Sequence, residues 1–128
     1  MMYHQLKQQF IYAGHPYVEG AVDVFRQSIQ ATGARKATLC ITALGVYEAE
    51  LNGKKVGDIL FAPGYTYYPR QLQVQCYDVT ELLCKQENEL IVYLGQGWYC
   101  GRYTFDNKCQ IYGEQSAVAW MLTIEGAE

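Results

Sequence analysis

The chain has 128 residues and a formal net charge of −3; 18% of its residues are charged and half are hydrophobic. This length is typical of one domain that buries a core, and the composition excludes a disordered chain. The basic residues form no stripe, which argues against nucleic acid as a partner. No apolar run approaches the roughly 18 residues of a membrane span, so no membrane partner is expected.

The beginning of the chain and the cysteines bear on domain organisation and location. Glycine and proline in residues 1–20 predict an irregular arm, followed by a single domain over 21–128. The arm has no apolar run of the length found in signal peptides. The five cysteines form an odd set without a C-x-x-C pair, which predicts reduced thiols and a cytoplasmic location. Cys40 and Cys76 lie in strand-like runs and are expected there as small hydrophobic residues.

Alternation of apolar and polar residues predicts a series of short strands. Asn52-Gly53 provides the two residues that a type I′ hairpin turn requires, between two strand-like segments. In chain order the predicted strands are Val22–Ala31, Lys36–Ala43, Val46–Leu51, Lys54–Val56, Gln71–Tyr77, Glu89–Leu94 and Gln115–Glu125.

Three further segments complete the expected fold. Thr80 is predicted to cap a short helical turn at Glu81–Leu83 through its hydroxyl. Glu89–Leu94 is almost continuously apolar, which indicates a central strand with both faces covered. Gly95–Gly101 contains three glycines and predicts an irregular turn. The sequence therefore predicts an all-β antiparallel sandwich with at most one short helix.

Five motifs, in a particular order, resemble a known family. They are LCITALGVY (Leu39–Tyr47), LNGKKVGD (Leu51–Asp58), APGYTYY (Ala62–Tyr68), YDVT (Tyr77–Thr80) and LGQGWYCGR (Leu94–Arg102). The LNG, VG and DVT elements are also similar to sugar-binding domains of β-galactosidase-like enzymes. The segments APGYTYY and GQGWYCGR narrow the resemblance to the N-terminal β-sandwich domain of bacterial α-L-rhamnosidases, glycoside hydrolase family 78. The resemblance covers residues 25 to 124.

This resemblance implies a jelly-roll-like sandwich of the galactose-binding type. It also implies that the chain is a non-catalytic accessory domain, since the family carries its catalytic acid and base in an (α/α)₆ barrel. The expected partners are that catalytic barrel and L-rhamnose-containing glycosides. The parent enzyme would release terminal L-rhamnose with inversion.

Glycoside hydrolysis requires two carboxyl groups roughly 5–10 Å apart. Glu48 and Glu50 share one strand face at such a spacing, but the pattern is more typical of the solvated face of an antiparallel strand. His15, next to Pro16, is interpreted as a surface loop residue rather than a catalyst. No catalytic residue is therefore predicted in this chain.

Sugar binding has more candidates than catalysis. Binding sites present aromatic faces to a sugar ring and flank them with polar groups for its hydroxyls. The candidate residues are Tyr65, Tyr67, Tyr68, Trp98, Tyr99, Asn52 and Arg102. The alternative is that these aromatic residues close the sandwich edge or pack against the barrel, with Trp98 as an interface anchor.

Calcium is a candidate cofactor. The resemblance implies it, since some rhamnosidase β-domains bind rhamnose through a calcium ion. Asp58, Asp106 and Asn107 are the candidate oxygen ligands. Four functions stay open: an accessory domain, an autonomous rhamnose-binding module, a purely structural docking domain, and an enzyme in its own right.

Overall fold

Seven strands and two short helical turns make up the described part of the chain. The structure, a computed structural model, describes residues 5–6, 8–31, 34–64, 72–84, 86–101, 113 and 115–126. The strands are β1 (Asp23–Gln30), β2 (Ala34–Leu44), β3 (Val46–Leu51), β4 (Lys54–Lys55), β5 (Gln75–Asp78), β6 (Glu87–Gly95) and β7 (Ala117–Gly126). The turns are a 3-10 turn at Thr80–Leu82 and one α-helical turn, α1, at Gly97–Cys100.

The strands form two antiparallel sheets that pack face to face. One sheet has the order β1-β6-β3-β4 and the other β5-β2-β7. The predicted all-β antiparallel sandwich is therefore confirmed. Consecutive strands β2 and β3 belong to different sheets, and Gly45 turns the chain between them at a φ of +143°. A side chain at Gly45 would overlap the carbonyl oxygen of Gly95, so only glycine fits there.

The core lies between the sheets and follows the predicted alternation. On β2 the side chains of Ala37, Leu39, Ile41 and Ala43 are at most 1% exposed. β6 is central in its sheet, as predicted, and Leu90, Val92 and Leu94 face the core. Its second face, predicted to be covered as well, is only half-buried, because that face belongs to the outer side of the sheet.

The hairpin between β3 and β4 has the predicted turn. Asn52 and Gly53 adopt φ values of +55° and +83°, as a type I′ turn requires. β5 is shorter than predicted, because it begins at Gln75 instead of Gln71. The Thr42 hydroxyl donates a hydrogen bond to the Gln73 carbonyl over 2.6 Å, which takes that carbonyl out of the strand ladder.

Tyr47 connects the two sheets through the core. Its hydroxyl donates to Gln75 Oε1 over 2.7 Å and accepts from the Tyr77 hydroxyl at 3.0 Å, because its single proton is already used. Burial holds the pKa of the Tyr47 phenol far above its usual value. The phenol therefore stays a neutral donor that ties β3 to β5.

The prediction that Cys40 and Cys76 are separate small hydrophobic residues is wrong. These two residues lie directly opposite each other on β2 and β5 and form a disulfide. Cys84 is a free, exposed cysteine. Pairing between strands far apart in sequence carries no local spacing signal, so the cysteine count alone missed it. The cytoplasmic location stays a prediction.

Two predictions about turns are also wrong in detail. Gly97–Cys100 forms a regular helical turn inside the segment that was predicted to be irregular. Thr80 does not cap the 3-10 turn with its side chain. Its hydroxyl donates to Asp78 Oδ1 over 2.6 Å and accepts from the Ala37 N–H over 2.9 Å, and Asp78 takes the Thr80 N–H instead.

The arm before β1 is attached to the sandwich at one point of β7. Ile11 and Val118 exchange both main-chain hydrogen bonds over 2.9 Å. Before that bridge, the N–H groups of Gln8 and Gln9 donate to the carbonyls of Gln5 and Leu6 over 3.1 and 3.0 Å. None of the helices in the described residues is long and apolar enough to span a membrane.

Replacement of Gly45 tests the connection between the sheets. Gly45→Ala should lower the free energy of unfolding by about 3 kcal/mol. The alanine would have to adopt a positive φ, which is unfavourable for an L-residue, and its Cβ would overlap the Gly95 carbonyl oxygen. Gly53→Ala is the matched control, since Gly53 also has a positive φ but open space around its Cα. That control should cost about 1 kcal/mol. Urea denaturation measures both, and equal losses would contradict the overlap at Gly95.

Candidate carbohydrate-contact site

The described residues hold only part of the predicted sugar site. Asn52 and Tyr99 are described in full, and Trp98 through its main chain in α1. The Trp98 side chain and the remaining candidates, Tyr65, Tyr67, Tyr68 and Arg102, lie outside the described residues. Their role in sugar binding therefore stays a prediction.

Close packing of glycines fixes the position of α1, which carries Trp98 and Tyr99. Gly97 begins the turn at a φ of +54°, and a side chain there would overlap Val46 Cγ1. Gly101, at its end, lies against the Gly97 carbonyl in the same way. The glycines of this segment, which predicted an irregular turn, thus allow the backbone of α1 to lie close to the start of β3.

Tyr99 is half-buried at this end of the sandwich. Its phenol ring lies directly against Gly113, where an added Cβ would overlap the ring and its hydroxyl oxygen. Burial, and to a lesser extent the neighbouring Cys100, raises the pKa of the Tyr99 phenol. Tyr99 thus presents part of one aromatic ring beside a glycine backbone.

Gln96 and Tyr17, which sequence reasoning missed, attach the arm to α1. Gln96 Nε2 donates to the Val18 carbonyl over 2.6 Å, and Gln96 Oε1 accepts from the Gly20 N–H over 3.0 Å. The Tyr17 hydroxyl lies 3.2 Å from the Cys100 carbonyl, to which it donates. In the sequence, the position of Gln96 between two glycines is the only signal of its role in attaching the arm.

His15 joins the arm to the start of β1. Its Nε2 lies 2.6 Å from Asp23 Oδ1 and its Nδ1 2.7 Å from the Pro16 carbonyl. The hydrogen bond to Asp23, and then that to Pro16, raises the pKa of the imidazole. Both ring nitrogens face acceptors, an arrangement that favours the protonated imidazolium over the neutral ring.

The cavity between the arm and α1 has a volume of about 20 Å³. His15, Tyr17, Asp23 and Gln96 are among the residues that line it. A space of this size holds about one water molecule, not a sugar ring.

Asn52, the polar candidate in the hairpin, is engaged in hydrogen bonds within the protein. Its Nδ2 donates to the Leu82 carbonyl and to Asn88 Oδ1 over 2.7 and 2.8 Å, and its Oδ1 accepts from the Glu89 N–H over 3.0 Å. Asn88 is 4% exposed, and its Oδ1 also accepts from the Cys84 N–H over 2.6 Å. Asn52 therefore has a structural role. Its position in a turn motif gave no sign of these hydrogen bonds in the sequence.

Asn52 and Tyr99 also lie at opposite ends of the sandwich. β3 and β6 are antiparallel, with Val46 opposite Gly95 at one end and Leu51 opposite Leu90 at the other. The strand between these pairs is about 17 Å long at roughly 3.4 Å per residue. These two candidates do not form one sugar site.

The metal and carboxylate candidates are equally dispersed. Asp58 is exposed, and no cluster of three or more His, Cys, Asp or Glu residues in the described ranges could hold a metal ion. Asp106 and Asn107 lie outside those ranges, so calcium binding stays a prediction. Glu48 lies on the outer face of β3, 52% exposed, at 4.0 Å from the ammonium of Lys55.

Comparison with known proteins identifies the family. Residues 32–128 match the family described as the α-L-rhamnosidase N-terminal domain. The chain belongs to this family. It is 43% identical over 93 residues to an α-L-rhamnosidase from Streptomyces avermitilis, an alignment that covers 73% of this chain and 9% of that enzyme.

Solved structures agree with this assignment. The native α-L-rhamnosidase from Aspergillus terreus superposes with a TM-score of 0.85 at 34% identity, covering 92% of this chain and 14% of that one. The S. avermitilis enzyme complexed with L-rhamnose gives a TM-score of 0.78 at 37% identity, covering 84% and 10%. The chain thus corresponds to a small part of much larger rhamnosidase chains.

Removal of the Asn52 side chain tests its structural role. Asn52→Gly keeps the positive φ but deletes the hydrogen bonds to Leu82, Asn88 and Glu89, which should cost about 2–3 kcal/mol of unfolding free energy. Lys54→Gly, in the same hairpin but exposed, is the control and should cost less than about 1 kcal/mol. A loss at Asn52 no larger than at Lys54, measured by urea denaturation, would contradict this role.

Proposed function

We propose that this chain is a non-catalytic accessory domain of an α-L-rhamnosidase, which hydrolyses terminal L-rhamnose from glycosides. In this proposal the domain buttresses the catalytic domain and contacts sugar at the edge of the active-site cleft. The observation that carries it is the family match over residues 32–128, in a chain whose alignment covers 9% of a curated enzyme of that name.

The use of polar side chains supports a non-catalytic role. In the described ranges, no buried side-chain nitrogen or oxygen lacks a hydrogen-bond partner. Asn88 joins main-chain segments, and the hydroxyl of Thr42 binds a carbonyl group. Polar groups that are paired in this way maintain the sandwich. None of these paired groups is available to transfer a proton to a substrate.

An exposed apolar loop supports docking against another domain. Ile59, Leu60 and Phe61 are consecutive and are 46%, 72% and 68% exposed. The loop is fixed on both sides, because Val56 donates to the Ala49 carbonyl and Tyr47 to the Ala62 carbonyl. Three apolar side chains held in solvent by an anchored backbone are typical of an interaction surface.

A hybrid enzyme tests the accessory role. This chain should replace the aligned segment of the S. avermitilis enzyme with retention of hydrolysis of an aryl α-L-rhamnoside, whereas the isolated chain should release nothing. Leu60→Asp should destabilise the hybrid by about 1–3 kcal/mol, since a carboxylate would be buried in the interface, and leave the isolated chain unchanged.

Val22→Asp is the matched control for the hybrid, because Val22 is 61% exposed on another part of the surface. This variant should leave the thermal unfolding of both proteins unchanged. Hydrolysis by the isolated chain would contradict the accessory role. Equal effects of Leu60→Asp on the isolated chain and the hybrid would contradict docking through the loop.

The outer surface of α1 is the part of the described structure that fits a sugar contact. Tyr99 offers a half-exposed ring there, whereas Asn52 is engaged at the other end. Addition of L-rhamnose should give saturable NMR shifts at Tyr99 and its neighbours, and Tyr99→Leu should abolish them. Tyr12→Leu, at a 64% exposed tyrosine of the arm, should not.

The same titration, repeated with calcium and with a chelator, separates the alternatives. Saturable binding of L-rhamnose by the isolated chain favours an autonomous rhamnose-binding module. If the chelator abolishes this binding, calcium has a role in it. Flat traces under both conditions would contradict sugar contact and leave a purely structural docking domain.

A further inference from the structure

Residues 15–23, the clasp loop, fold around the side-chain amide of Gln96. The Val18 carbonyl accepts from Gln96 Nε2 over 2.6 Å, and the Gly20 N–H donates to Gln96 Oε1 over 3.0 Å. The Ala21 N–H donates back to the Val18 carbonyl over 3.1 Å. Since Gln96 lies directly before α1, the clasp loop holds the arm against that turn.

The two ends of the clasp loop meet at a contact between His15 and Asp23, the first residue of β1. His15 Nε2 lies 2.6 Å from Asp23 Oδ1, and His15 Nδ1 lies 2.7 Å from the Pro16 carbonyl oxygen. The main chain of His15 is held as well, because Gln115 Nε2 donates to its carbonyl over 2.9 Å. A compact loop whose ends are joined in this way depends on the contact that closes it.

The two contacts of the His15 ring together require two ring protons. A carboxylate and a carbonyl oxygen only accept hydrogen bonds, so each ring nitrogen must carry a proton to bind its partner. A neutral imidazole carries a single N–H. Loss of the second proton would place a nitrogen lone pair 2.6 Å from the Asp23 carboxylate or 2.7 Å from the Pro16 carbonyl. Because lone pairs repel at such distances, deprotonation must open one of the two contacts.

Asp23 is the charged group that acts on the imidazole among the described residues. Gln96 before α1 and Gln115 and Ser116 before β7 line the same cavity with uncharged side chains. Tyr17 is the other titratable residue of this lining, and its hydroxyl donates to a carbonyl of α1. The His15 side chain is 45% exposed, so it exchanges protons freely with solvent.

We propose that His15 is a pH-dependent latch, which closes the clasp loop when the imidazole is protonated and releases it when the imidazole is neutral. In the closed state the imidazolium joins the arm to β1, with the Gln96 amide held inside the loop. Release removes this link, so the segment around Val18 and Gly20 opens more often. The bridge between Ile11 and Val118 lies outside the loop and keeps its hydrogen bonds in both states.

The direction of the pH response follows from the same contacts. The hydrogen bond to Asp23, and then that to Pro16, raises the pKa of His15 above its ordinary value of 6.5. A histidine with a raised pKa in the folded state contributes its full stabilisation below pH 6.5 and loses it as the pH rises through the raised pKa. The clasp loop should therefore be closed in mildly acidic solution and loosened in alkaline solution.

Amide exchange of the wild-type chain tests the latch. Protection of the Gly20 and Ala21 amides, relative to an unstructured peptide at the same pH, should fall about twofold to fivefold from about pH 6 to about pH 9. This range is typical of a solvent-exposed ion pair, worth roughly 0.2–1 kcal/mol. The Ile11 and Val118 amides, which bond to each other outside the loop, are internal controls and should keep their protection.

Two variants separate the proton from the loop itself. His15→Gln carries no titratable ring, so Gly20 and Ala21 should be weakly protected at both pH values. Asp23→Asn keeps the imidazole but removes the carboxylate, and an NMR titration should show the pKa of His15 falling towards 6.5. Ile11 and Val118 protection shows that each variant is folded.

Constant protection of Gly20 and Ala21 across this pH range in the wild-type chain would overturn the proposal. An equal fall in His15→Gln would overturn it as well, since the response would not then come from the imidazole. Should that variant unfold, NMR of the wild-type chain decides. The shifts of the Gly20 and Ala21 amides must follow the titration of the His15 ring, and a different midpoint would overturn the latch.

Discussion

The amide pair of Asn52 and Asn88 holds together the end of the sandwich at which the hairpin lies. Asn88 Nδ2 approaches the Ile29, Cys84 and Gln86 carbonyls, and its Oδ1 accepts from Asn52 and Cys84. Because Asn88 is buried, each of these groups would cost free energy if left unpaired. Two small side chains thus fix the end of β1, the hairpin tip, the 3-10 turn and the start of β6 relative to one another.

The other end of the sandwich depends on backbone proximity and not on buried amides. Glycines at the crossing from β2 to β3 and in α1 allow main chains to touch, and Gln96 then fastens the arm to that turn. This division explains why the sugar candidates separate as they do. The hairpin end uses its polar side chains for structure, and the α1 end leaves an aromatic ring partly open to solvent.

Strand pattern predicted the fold well, because a period of two decides which residues are buried. The alternation of Ala37, Leu39 and Ile41 corresponds directly to the core face of β2. The turn at Asn52-Gly53 was also predictable, since few residues accept positive φ. The family could be predicted because five motifs occur along the chain in the order that the family has.

Contacts between segments distant in sequence could not be predicted in this way. The disulfide of Cys40 with Cys76, the attachment of Gln96 to the arm and the structural role of Asn52 each join positions more than 30 residues apart. A periodic pattern gives the face of a residue but not the register of its strand against another. The predicted site therefore mixed residues from both ends of the domain.

Tyr47 anchors the chain on both sides of the segment that contains Tyr65, Tyr67 and Tyr68. Its N–H binds the Ala62 carbonyl before that segment, and its hydroxyl binds Gln75 after it. The entropic cost of closing a flexible segment between two anchors rises by only about 0.6 kcal/mol for each doubling of its length. A change in the number of residues between these two anchors should therefore cost little folding free energy and leave both anchors in place.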